Sequence, residues 1–109
     1  MAKIKLNKLA TICYKIAFRR FKKGQVKKPD MMNFLKHCST EVNEAVEAGT
    51  VWLDNCHTCS GEQLEKNKHN FALELADIII CVLSLSAYEN IDIEKALIES
   101  IKKNIERIK

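Results

Sequence analysis

The sequence predicts an all-α fold, four-helix-bundle-like and completed by homo-oligomerisation. Three observations point there. Only three Gly and one Pro (Pro29) punctuate 109 residues, which leaves few turn signals and favours long helices over short strands. Apolar residues recur at intervals of three and four in four separate stretches. One stretch, Ile78 to Leu83, is apolar around its whole circumference, so it needs cover on several sides that one short chain can hardly supply. A homodimer or homotetramer is the expected solution.

The first element spans about residues 4–22. Ile4, Leu6, Leu9, Ile12, Cys13, Ile16 and Phe21 keep helical spacing with Lys and Arg between them, and Gly24 supplies the stop. Asp30 is placed to cap a second helix over about 31–48, whose stripe is Met31, Phe34, Leu35, Cys38, Val42, Ala45 and Val46. Gly49 reads as its C-terminal cap. Residues 50–61 lack periodicity and read as a loop. A third helix covers about 62–88, with Leu64, Phe71, Ile78 and Leu85 at heptad spacing. After a turn at Asn90 and a cap at Asp92, the fourth covers about 93–108 on the stripe Ile93, Leu97, Ile101, Ile105 and Ile108. These lengths fit a single domain over residues 1–109.

The net charge of +4 is unevenly spread. Residues 1–28 hold ten Lys/Arg and no acid, whereas residues 29–109 hold eight basic and fourteen acidic residues. The basic front suits an anionic substrate, or is simply a solvated face; without regular aromatic interleaving, nucleic acid is not the expected partner. An odd count of five cysteines and the absence of a secretory pattern predict a reducing, cytoplasmic setting. The longest uninterrupted apolar run is too short to span a bilayer, so no membrane association is expected.

Acidic residues carry the functional signal. Glu74 and Asp77 interrupt the apolar segment FALELADIII, and Glu41 and Glu44 repeat the same spacing in STEVNEAVEA. Residues at i and i+3 share a helix face, so each pair converges on one region of space. Carboxylates amid apolar neighbours are costly unless they pair or bind a cation. Two helices facing each other would gather four carboxylates, an oxygen-rich set suited to Mg2+, with Mn2+ as a substitute. The structural alternative is a set of salt bridges to neighbouring helices.

The pattern Glu41-x-x-Glu44 followed by Glu74-x-x-Asp77 resembles the MazG-like branch of the all-α nucleoside triphosphate pyrophosphohydrolases, a superfamily that also contains dimeric dUTPases and dCTP pyrophosphatases. The resemblance extends over residues 31–108, with Asn104 and Arg107 echoing an Asn and Arg near the end of the last helix. Thr40 stands where many relatives have Glu, and Ser100 where some have Lys. The resemblance implies Mg2+-dependent cleavage of a (d)NTP to (d)NMP and pyrophosphate. It assigns Glu41, Glu44, Glu74 and Asp77 as metal ligands and catalytic residues, and Asn104 and Arg107 as substrate-binding residues, with Lys102 or Lys103 as the substitute for the Lys that Ser100 replaces. The reading from another class is a non-catalytic helical interaction or nucleotide-binding module with its carboxylates in salt bridges.

Other residues invite separate readings. Cys56-His57-Thr58-Cys59 supplies two of the four ligands a structural zinc needs, so it reads first as reduced thiols in a loop. His37, one turn before Glu41, reads as a hydrogen-bonded neighbour of the site. Trp52, the only tryptophan, is placed either to stack on a nucleobase or to staple the loop to the core. Phe18, Phe34, Phe71 and Tyr88 read as core.

Overall fold

The computed structural model describes residues 5–56, 58 and 60–109. Among them are four helices and no strands: α1 (Leu6–Lys22), α2 (Met31–Asn55), α3 (Gly61–Tyr88) and α4 (Ile93–Arg107). The expected start of the first helix at residue 4 lies outside the described residues, as do His57 and Cys59 of the CxxC segment.

Local chemistry explains most of the boundaries. Lys5 flanks α1 without capping it through its side chain, and Arg19, Arg20 and Lys22 complement the negative end of its dipole. At that end Gly24 adopts φ +70°, its N–H reaching Phe21 O at 2.9 Å and the Gln25 N–H reaching Arg20 O at 2.9 Å. This crossed pair is a Schellman ending, which needs a left-handed residue at that position. Asp30 starts α2 by accepting the Asn33 N–H at 2.8 Å. Ser60 and Asp92 do the same for α3 and α4. Asn90, at φ +57°, closes α3 with the same crossed pair, Asn90 N–H to Ala87 O and Ile91 N–H to Ser86 O.

The second helix departs from expectation. Gly49 does not cap α2, and residues 50–55 are helical instead of forming a loop. The cause is tertiary. Gly49 lies against the Phe71 ring of α3, where an added Cβ would sit 3.1 Å from a ring carbon. One turn on, Trp52 stacks on the same ring with centroids 5.7 Å apart. Contact with α3 therefore carries the helix past a residue whose intrinsic preference would end it.

Packing is concentrated on α3, with α2 along one side and α1 along another. Ala10, Cys13 and Leu83 form the buried centre, flanked by Leu9, Ala87 and Ile93. Phe34 is buried and Phe71 half-buried, but Phe18 and Tyr88 are exposed, contrary to a core placement: Tyr88 lies against Tyr14 and Phe34, and Phe18 against Tyr14 and Phe21, at the rim of the fold. α4 touches α1 near its own start and buries no residue. There Asn7 acts as a clasp: its Nδ2 donates to Asp92, its N–H donates to Glu94, and its Oδ1 accepts the Ile93 N–H.

The chain is open for its size. Its accessible surface is 8601 Å2, against about 6,200 Å2 for a compact monomer of this mass. Its radius of gyration is 16.7 Å, against about 13 Å. By length and composition α3 is long and apolar enough to cross a membrane, a test that core helices also pass.

Candidate metal centre

The α2–α3 interface brings the two acidic pairs together. Glu41, Glu44 and Glu74 each offer a carboxylate oxygen, and these three atoms lie within 4.8 Å of one another. Glu41 is the deepest, buried on the face of α2 that also buries Phe34 and Ala45. Glu74 is half-buried, and Glu44 and Asp77 are exposed. Asp77 is thus not the interior acid that its apolar neighbours suggest, because the α3 surface around it, including Ile79 and Ile80, is itself uncovered.

Electrostatics show how closely the groups are held. Burial pushes the Glu41 carboxyl above its ordinary value, and the charges of Glu44 and Asp77 push the same way, against a smaller opposing pull from His37. Glu74 is raised by desolvation first, then by Glu44 and Asp77, with a further contribution from Glu47. Asp77 therefore belongs to the electrostatic cluster although it lies outside the tight group of three. Glu47 is a fifth acid that sequence reasoning passed over. Its signal was available, since it stands three residues beyond Glu44.

His37 Nε2 lies 3.0 Å from Glu41 Oε1, the hydrogen-bonded position expected of it. The other oxygen, Glu41 Oε2, is buried without a hydrogen-bond partner, and so is Glu74 Oε2. Among the described residues, no Lys or Arg forms an ion pair with any of the four acids. Buried carboxylate oxygens are seldom left unpaired. Two of them beside a third carboxylate fit the donor set of a hard divalent cation, and among the described residues the salt-bridge alternative has no Lys or Arg partner. A pair of thiols adjoins the acids: Cys81 is buried against Cys38, and desolvation first, then that neighbour, drives its thiol well above the ordinary range.

The substrate-binding candidates lie apart from the acids. Lys103, Asn104 and Arg107 are exposed on α4, with Arg107 Nη1 donating to Asn104 Oδ1 at 3.4 Å. The helix that carries them packs on α1, with no comparable packing on α2. One chain does not bring them to the carboxylates. Trp52 is half-buried on α2, with its ring against Phe71. That contact corresponds to the stapling role, although the segment it staples is helix.

Searches of curated proteins and of solved structures found no match to the chain. A family model, described as the MazG nucleotide pyrophosphohydrolase domain, matches residues 28–109. That span contains all four acids, both helices that carry them, and α4. The carboxylate cluster thus lies inside the matched region, and the chain belongs to the MazG nucleotide pyrophosphohydrolase domain family.

Proposed function

We propose that this protein is a Mg2+-dependent nucleotide pyrophosphohydrolase that cleaves a (d)NTP to the (d)NMP and pyrophosphate. The observation that supports this best is the convergence of Glu41, Glu44 and Glu74 oxygens within 4.8 Å, two of the residues having a buried oxygen with no partner. Family membership supports a nucleotide substrate and a divalent metal. Glu41, Glu44, Glu74 and Asp77 would hold Mg2+, or Mn2+ in its place. When bound, such an ion polarises phosphoryl oxygens of a triphosphate and offsets their charge.

The chain's own residues have distinct tasks in this reading. His37 fixes Glu41 through Oε1 and leaves Oε2 buried without a partner. Glu41 or Glu44 orients the attacking water and accepts its proton. Lys103, Asn104 and Arg107 would contact the phosphates or sugar of a nucleotide in the site of a second copy, since α4 does not reach the acids of its own chain. The excess exposed surface and the apolar stripe of α4 support a homodimer or homotetramer. With such cover, α3 is the core helix of a soluble, cytoplasmic assembly and not a membrane span.

The test is pyrophosphate release from a panel of NTPs and dNTPs, with and without Mg2+, for the wild type and Glu74→Gln. Release that requires the ion and disappears in the variant is the expected outcome. Absence of release from every nucleotide, with no stabilisation by Mg2+ or Mn2+, would refute the proposal.

A further inference from the structure

A second chemically competent pair lies across the same helix interface. Cys38 of α2 and Cys81 of α3 are both free thiols, 43 positions apart in the chain, and their sulfurs are 2.8 Å from each other. The Cys38 S–H donates to the Cys81 sulfur, and the Cys81 S–H donates to the Phe34 carbonyl at 3.2 Å. The two sulfurs therefore already face one another. Cys81 is buried and Cys38 half-buried, so a reagent arriving from solvent meets Cys38 first. Cys38 stands three residues before Glu41, and Cys81 four residues after Asp77.

We propose that Cys38 and Cys81 are a reversible thiol–disulfide site that ties α2 to α3 beside the carboxylate cluster, oxidised by a low-molecular-weight disulfide. The inference stands on the packing of α2 against α3 and is independent of the enzymatic reading. Cys38 attacks one sulfur of the small disulfide, forming a mixed disulfide and releasing one small thiol. Cys81 then loses its proton, a step that burial makes slow, attacks the Cys38 sulfur and expels the second small thiol. Two protein thiols are oxidised, one small disulfide is reduced, and the two protons leave on the released thiols.

Closing the bond replaces a contact already in place, since the sulfurs need to approach by less than about 1 Å to reach a normal S–S separation of ~2.05 Å. The other described cysteines lack this arrangement. Cys13 sits between Ala10 and Leu83 in the core, and Cys56 terminates α2.

The full-length protein would be equilibrated with reduced and oxidised glutathione at a series of ratios. It would then be quenched by alkylation, weighed intact and mapped by peptide mass. The expected product is a single chain that has lost two hydrogens and carries two fewer alkyl groups than the reduced control, with a Cys38–Cys81 linkage that dithiothreitol reverses. Because the bond closes a loop of some 43 residues, its melting temperature should rise by roughly 10 °C or more. Cys38→Ser should abolish both the linkage and the shift. If that variant fails to fold, the wild-type peptide map decides alone. Cys38 and Cys81 remaining alkylatable while Cys56 oxidises would overturn the proposal, as would linkages found only between chains or mixed disulfides that never close.

Discussion

The α2–α3 interface and α4 are built on opposite terms. Along the first, two long helices share the most extensive packing in the chain, bury Glu41, Ala45 and Cys81, and assemble an acid cluster without outside help. The second is just as regular and just as amphipathic, yet none of its residues is buried. Leu97, Ile98, Ile101 and Ile105 are each about half exposed or more. Helix periodicity reports that a stripe must be covered, but not by what. Along the shared face of α2 and α3 the cover is the other helix; for the stripe of α4 beyond Ile93, none of the described residues supplies it. A metal centre can therefore be intrinsic to the single chain while the residues expected to grip the substrate are not.

The sharpest way to break this contrast is Glu74→Gln. If the α2–α3 cluster alone holds the ion, hydrolysis should fall by about 100-fold or more, the scale of losing a main electrostatic contributor to a charged transition state. Stabilisation by Mg2+ in a thermal melt should shrink with it. The metal-free variant should melt no lower than wild type, since a like charge has been removed from beside Glu44 and Asp77. A variant that loses its fold instead would make Glu74 a structural residue.

The same contrast separates what could be read in the sequence from what could not. The two i, i+3 acidic pairs were legible because helix geometry alone puts their members on one face, and the caps at Asp30 and Asp92 were legible because capping is local chemistry. The continuation of α2 through Gly49 was not, because it depends on a ring 22 positions away. Nor was the exposure of Asp77, which turns on what fails to cover α3. The Asn7 clasp and the Cys38–Cys81 contact, likewise, exist only through packing between distant segments.

Ile101→Glu probes the other half of the comparison. Ile101 is 50% exposed in the single chain, so a charge there should cost the isolated fold little. In an assembly that buries it, the same charge should cost several kcal/mol. The expected result is dissociation to monomers in sedimentation, with folded helix content kept and hydrolysis lost. Unchanged mass and activity would show that α4 takes no part in completing a site.

A smaller effect follows from pH. The raised carboxyls of Glu41 and Glu74 bind protons more tightly in the folded than in the unfolded protein. Their protonation therefore stabilises the metal-free fold below the ordinary Glu value of 4.5, and that contribution is lost as pH rises through the raised values. Metal-free protein should melt lower at pH 7.5 than at pH 5. Saturating Mg2+ should close the gap, adding about 2–3 kcal/mol at a hundredfold excess over Kd. No comparable pH effect is expected from substitutions along α4. Melting that ignores both pH and Mg2+ would separate the acids from the stability of the interface.

The smallest effect is the most local. Gly49→Ala would gain about 1 kcal/mol of helix propensity on an exposed helix, but the new Cβ lies 3.1 Å from Phe71 Cε1. Whether the ring can yield decides the sign, and Trp52 stacked on it leaves little room to retreat. Overpacking of this kind costs about 1–3 kcal/mol, so a net destabilisation of about 1 kcal/mol is expected in chemical denaturation. The same substitution in a Phe71→Leu background, where the ring is gone, should instead recover the propensity gain. Opposite signs in the two backgrounds would show that α2 runs past Gly49 because α3 holds it there. Equal signs would mean that residues 50–55 stay helical without that contact.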